Sequence, residues 1–148
     1  MAEERKPKSA TLTIESELKN VCLVGVMAQS LCRFEGMDGS QCDRVELSVV
    51  EAVNNAIIHA YNREPNHLVE VAIRVYPDRM VFEISDRGKR LEKFAPTPPD
   101  YDPGNLDTLP EEKMGLFLIA SPMDRTDYST ESGRNVLTLT KYLKKDRS

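Results

Sequence analysis

Apolar residues recur along this chain at two periods, and each change of period marks an element. Thr11-Leu12-Thr13-Ile14 alternates polar with apolar, which predicts a short strand with one buried face. From Glu17 to Phe34 the step lengthens to three and four. Leu18, Val21, Cys22, Gly25, Ala28, Leu31 and Cys32 then share one face of a helix that Ser16 can cap and Gly36 can stop. Met37-Asp38-Gly39-Ser40 reads as a turn, with Asp43 as the cap of a second helix ending near Asn62, before Pro65-Asn66. In that helix Val45, Val49, Val53, Ala56, Ile57 and Ala60 form the apolar stripe. Two strands follow, Leu68 to Val75 and Met80 to Ser85, joined by a tight Tyr76-Pro77-Asp78-Arg79 turn.

After Asp86-Arg87-Gly88-Lys89-Arg90 the periodicity stops. Phe94 to Pro110 holds five prolines and three aspartates with no usable period, too long for an ordinary connector, and reads as a functional lid or a disordered segment. Thr108-Leu109-Pro110-Glu111 matches a capping box, and Met114 to Ala120 continues as a buried helix that Pro122 ends or kinks near Ser121. Arg125 to Tyr128 and Asn135 to Leu143 read as two strands around a Glu131-Ser132-Gly133 turn, the last apolar enough to be central. Residues 1–9 read as a flexible leader and 145–148 as a solvated tail around one domain at 10–144, with the lid at about 89–113. This element order predicts an α+β fold, a layer of helices on one face of a mixed, mostly antiparallel sheet.

Composition narrows the function. The chain has 148 residues, 40% apolar and 30% charged, with a net charge of −4, which fits one soluble domain without general attraction to nucleic acid or anionic membrane. With no apolar run near the length of a membrane span and no apolar N-terminal signal, the expected compartment is the cytoplasm. Cys22, Cys32 and Cys42 are odd in number and lack C-x-x-C spacing; two of them, Cys22 and Cys32, fall on the predicted helix face, where free cysteine acts as a small core hydrophobe.

Candidate chemistry lies beside the second helix's apolar stripe. Glu51, Asn55 and His59 are four residues apart, so on a helix they form a polar row with steps of about 6 Å. A helix bearing Glu and Asn is commonly a solvated face, an Asp-x-Gly after a strand is commonly a turn, and a glycine at a helix start is commonly a cap. Their order and spacing in one chain give them joint meaning.

Glu51-Ala52-Val53-Asn54-Asn55-Ala56-Ile57-Ile58-His59-Ala60-Tyr61, then Ile84-Ser85-Asp86-Arg87-Gly88, then Gly115-Leu116-Phe117-Leu118-Ile119 with the closing Gly133 to Lys141, resemble the three boxes of the anti-sigma-factor serine/threonine kinases. These belong to the Bergerat-fold, histidine-kinase-like ATPase superfamily, and the resemblance runs from about Thr11 to Leu143. It implies a two-layer α/β sandwich and a kinase that phosphorylates a STAS-type anti-sigma factor antagonist with ATP and Mg²⁺, sequesters a sigma factor, and forms a homodimer through its first strand and helix. By the same resemblance Asn55 would hold Mg²⁺ and Glu51 would accept or orient the hydroxyl proton. Asp86 would accept from the adenine amino group, with Gly88 permitting close backbone approach. Lys113, Met114, Gly115 and Leu116 would face phosphate. His59 reads more simply as a packed or partly exposed helix residue.

The sequence departs from the family's pattern at several places. Arg90 stands where a second glycine is frequent, Lys113 where G-x-G-L begins, Ala60 where glycine is common, and Glu111-Glu112 place two carboxylates upstream of the phosphate helix. A nucleotide-poor, catalytically inactive binding module of the same fold, acting by sequestration alone, is therefore the alternative. A sensor-kinase catalytic fragment is disfavoured, since no phosphoacceptor helix pair precedes the domain.

Overall fold

The computed structural model describes residues 6–91, 119–120 and 122–143. Strand β1 (Lys8–Glu15) leads through a 3₁₀ turn (Leu18–Asn20) into α1 (Val21–Phe34) and α2 (Gly39–Asn55). A π-helical turn (Ala56–Ala60) continues α2; then come β2 (Leu68–Val75), β3 (Arg79–Asp86), β4 (Arg125–Glu131) and β5 (Arg134–Tyr142). The five strands lie in the order β1-β2-β3-β5-β4, and every pairing among them is antiparallel.

Alternation along the strands fixes which face carries the core. Val69, Val71, Ile73 and Val75 of β2 are buried, as are Met80, Phe82 and Ile84 of β3 and Leu137 and Leu139 of β5, in one cluster with Val24, Ala28, Val45, Val49, Val53 and Ile57 of the helical layer. The opposite face is polar and carries the Arg74–Glu83 ion pair. β2 and β3 close as expected: the Tyr76 N–H donates to the Arg79 carbonyl at 2.8 Å. At the other hairpin Ser132 and Gly133 both have positive φ, 53° and 76°, as a two-residue primed turn matched to strand twist requires. β5 is central, paired on both sides.

Several boundaries differ from the sequence reading, each for a tertiary reason. β1 begins at Lys8, inside the expected leader: Lys8 pairs with Val75 across the sheet, ion-pairs with Glu35, and holds its ammonium 5.1 Å from the Phe34 ring centroid. Ser16 does not cap the first helix, because its hydroxyl donates to the Glu64 carbonyl at 2.6 Å and accepts from the His67 N–H at 3.1 Å. The 3₁₀ turn leaves Leu18 44% exposed and Cys22 exposed, while Val21, Val24, Gly25, Ala28 and Cys32 form the buried stripe. Cys42, rather than Cys22, joins Cys32 in the core, and all three thiols are free. Asp38 caps α2, its carboxylate accepting from the Gln41 N–H at 2.8 Å, so Asp43 falls within the helix. The proline-rich stretch, the glycine-led helix start and the basic tail lie outside the described residues.

Candidate functional site

Helix α2 buries Val45, Ser48, Val49, Ala52 and Val53 and leaves Glu51 and Asn55 half-buried at its margin. Its last carbonyls are reorganised by the π turn, a feature found often at functional sites. In this wider turn the Tyr61 N–H bonds the Ala56 carbonyl at 3.0 Å, and the Ala60 carbonyl turns outward to accept the Lys89 N–H at 2.7 Å. The helix end is thereby fastened to the loop that follows β3.

Gly88 makes this approach possible. A Cβ there would sit 2.3 Å from the Ala60 carbonyl oxygen and 2.5 Å from its carbon, so a side chain would drive the two backbones apart. Tyr61 adds a second tie. Its hydroxyl accepts the Arg87 N–H at 2.7 Å and donates to the Leu68 carbonyl at 2.7 Å, while its ring, 6% exposed, stacks on His67 with centroids 4.5 Å apart. Burial raises the phenol's pKa, so it keeps the proton it donates.

Between the helix margin and the sheet lies a small cleft of about 30 Å³, floored by Ile84 and Leu137. Asn55 and Asp86 both line it, together with Ala56, Lys89 and Tyr128. Glu51 stands one turn before Asn55 on the same helix, half-buried; burial raises its pKa, and a hydrogen bond from Asn54 opposes the rise. His59 is half-buried on the π turn and is not among the described residues lining the cleft. Lys113, Met114, Gly115 and Leu116 lie outside the described residues.

Asp86 is held from the sheet side by a residue the sequence reading passed over. Asn135, 1% exposed, faces Asp86 across the β3–β5 pairing. Its amide Nδ2 donates to Asp86 Oδ1 at 2.8 Å and to the Gly88 carbonyl at 3.0 Å, and its Oδ1 accepts from Thr130 Oγ1 at 2.8 Å. The Gly88 N–H also donates to Asp86 Oδ1, at 2.9 Å. Both donors meet Oδ1, which leaves Oδ2 to accept from a ligand. Burial raises the Asp86 pKa, opposed by the Asn135 and Gly88 donors. No local pattern marks this residue, which lies 49 positions beyond the aspartate near the start of a strand that also carries Arg134, Thr138, Thr140 and Lys141.

An apolar floor, a carboxylate oxygen that neither Asn135 nor Gly88 occupies and an adjacent lysine give a ligand at this cleft an apolar contact, one acceptor and one cation. No group of three or more His, Cys, Asp or Glu side chains that could hold a metal occurs among the described residues. The single amide oxygen of Asn55 fits a magnesium ion that brings most of its ligands with it as water and phosphate oxygens, because magnesium takes few protein ligands.

The model of the histidine kinase-like ATPase domain family matches residues 14–141. The serine-protein kinase RsbW of Staphylococcus epidermidis is 32% identical over 149 residues, spanning 98% of this chain and 88% of that one. RsbW of Staphylococcus aureus strain MRSA252 is 32% identical over 150 residues with the same coverage. A crystal structure of the RsbU and RsbW domains of a Mycobacterium tuberculosis protein superposes with a TM-score of 0.64 at 16% identity, over 90% of this chain and 32% of that one.

Proposed function

The chain belongs to the histidine kinase-like ATPase family as a relative of the RsbW serine-protein kinases, and from that premise we propose that it is an ATP-dependent serine/threonine protein kinase. Its proposed substrate is a STAS-type anti-sigma factor antagonist, and it sequesters a sigma factor when not engaged with that substrate. The observation that carries this reading is the meeting of Asn55 and Asp86 in one cleft, with Glu51 a turn away on the Asn55 helix.

Each residue then has a physical task. Asp86 Oδ2 accepts from the exocyclic amino group of the base, a contact to a charged group worth about 1.5–3 kcal/mol, or roughly 10- to 150-fold in affinity. The Asn55 amide oxygen is the protein's ligand to Mg²⁺. Bound ATP with Mg²⁺ supplies the transferable phosphoryl group and the charge that neutralises its oxygens. Glu51, its carboxyl made more basic by burial, accepts the proton of the attacking serine or threonine hydroxyl. Lys113, Met114, Gly115 and Leu116 are assigned the phosphates by the same family resemblance.

The ATPase domain is assigned to Lys8 through residue 144, since β1 starts at Lys8, with the lid at about 89–113. A homodimer is proposed through β1 and α1, where Ala10, Met27, Leu31 and Phe34 border an apolar groove. No helix among the described residues is long and apolar enough to cross a membrane; the cytoplasm is the proposed location.

The test mixes protein, Mg²⁺, γ-labelled ATP and candidate antagonists. Wild type should label a serine or threonine, and Glu51→Ala should slow labelling by about 10²–10⁴-fold, the range for general-base removal. Equal rates in both proteins would sink the catalytic role of Glu51. The second reading, a module without catalysis, draws on Arg90 and Lys113 at the family's glycine positions. It stands instead if no candidate is labelled while a sigma factor still binds.

A further inference from the structure

We propose that Tyr61 is a positioning residue for nucleotide binding: it holds the Asp86 loop at a fixed distance from the Asn55 helix, so that base and phosphate ends can be engaged together. The inference rests on the nucleotide reading above and adds to it a residue that touches no ligand.

The ties on the helix end divide into two kinds. The Ala60 carbonyl accepts the Lys89 N–H at 2.7 Å and fixes one point of the loop. The Tyr61 hydroxyl fixes a second point by accepting the Arg87 N–H, and a third, on β2, by donating to the Leu68 carbonyl. Two points leave a hinge, whereas three set both distance and tilt. Because Asp86 directly precedes Arg87, the hydroxyl acts on the segment that presents the carboxylate.

The phenol can serve both bonds only from one place. Its ring is fixed by burial and by the near-parallel stack on His67, with an interplanar angle of 8°. Tyr61 and Asp86 also border a second cavity beyond the loop, with His67, Glu70, Arg87 and Arg134, so the Asp86 segment has space behind it. Remove the hydroxyl and the helix end keeps only the Lys89–Ala60 hook to the loop. Asn135 still holds Asp86 Oδ1 and the Gly88 carbonyl from the sheet side, so the Arg87 backbone shifts into that space and Asp86 stays tied to the sheet but loses its fixed distance from the Asn55 helix. Asn55 and Glu51 lie on α2, upstream of the tie, and keep their mutual geometry. The loss therefore falls on nucleotide affinity and spares turnover at saturation.

Tyr61→Phe keeps the ring and its stack and deletes only the hydroxyl. Calorimetry with ADP and Mg²⁺ should give a Kd about tenfold weaker than wild type, the scale of one hydrogen bond's positional work. Against a labelled antagonist, KM for ATP should rise by the same factor with kcat within about twofold. In the ligand-free protein the amides of both Arg87 and Lys89 should exchange faster, although Lys89 is not bonded to Tyr61. A purely local packing role would expose Arg87 alone, and that pattern, an unchanged Kd, or a parallel fall in kcat would overturn the proposal. If wild type binds no ADP, the nucleotide reading falls by itself, while the exchange data still decide whether Tyr61 holds the loop. Should Tyr61→Phe not fold, wild-type exchange suffices: Arg87 and Lys89 should open as one unit, and independent openings refute the tie.

Discussion

Asp86 shows how one side chain serves ligand binding at the expense of the fold. Burial raises its pKa above that of the unfolded chain, so the folded protein holds the proton more tightly. A raised folded-state pKa contributes stability that is complete below the unfolded pKa and is lost as pH rises toward and through the folded value. At neutral pH the ionised carboxylate therefore weighs against the fold. Asp86→Asn keeps an Oδ1 to accept from Gly88 and Asn135 but replaces Oδ2 with a donor. Two outcomes are expected together. Calorimetry should show ADP binding weakened by at least about tenfold, and thermal melts at pH 7 should give a Tm equal to or above that of wild type. The Tm difference should shrink as pH falls into the carboxylate range. A Tm well below wild type at pH 7 would mean that the charge stabilises the fold.

Asp86 was legible in the sequence because a motif carried it, whereas Asn135 was not. Its task exists only once β3 and β5 are in register and Asp86 lies opposite, and nothing local to Gly133–Val136 points to it. Ser16 was misread for a related reason. A serine ahead of a helical run is a standard cap signal, but here its hydroxyl is taken by Glu64 and His67, some fifty residues away.

Among the elements, the strands and hairpins were the most legible, since alternation and turn residues act over a few positions. The β2–β3 hairpin agrees to within a residue at each strand end. Helix ends were less so. The π turn cannot be read from Ala56-Ile57-Ile58-His59-Ala60, which suits an ordinary helix as well; it is selected by what the Ala60 carbonyl meets. Gly88 is the other half of that contact. Gly88→Ala would place a methyl within 2.3 Å of a backbone oxygen, and should cost about 1–3 kcal/mol, the usual range for overpacking. Denaturant melts should show a lower midpoint with an unchanged m-value. A loss below about 0.5 kcal/mol would mean that the helix end yields readily, and the junction would lose its rigid role.

For the molecule as a whole, the α+β class and the single helical layer followed from element order, while the fully antiparallel pairing emerged only with the sheet. Its outer strand β1 and the neighbouring α1 leave apolar surface uncovered: Phe34 is 78% exposed, Val26 66% and Leu23 54%. Surface of this kind beside a strand edge that is unpaired among the described residues fits a protein partner, and the proposed homodimer would cover it. Light scattering should give twice the chain's 16.7 kDa for wild type. Phe34→Glu should shift it to monomer while leaving Tm within a few degrees, because Phe34 contributes little to the core. A dimer that survives this change would place the contact elsewhere.

The strand order also separates two stretches of chain with different freedoms. β3 and β5 are sheet neighbours whose innermost pair is Asp86 with Asn135, so their junction closes a loop between positions 49 residues apart. Closure entropy grows only logarithmically, each doubling of loop length costing about 0.6 kcal/mol. The cost of joining the two hairpins is thus largely met whatever the length of the chain between Leu91 and Ile119. Added length there costs little in closure entropy alone. By that term alone, the antiparallel register of β3 with β5 is set by the strands themselves and is insensitive to how many residues run between the two hairpins.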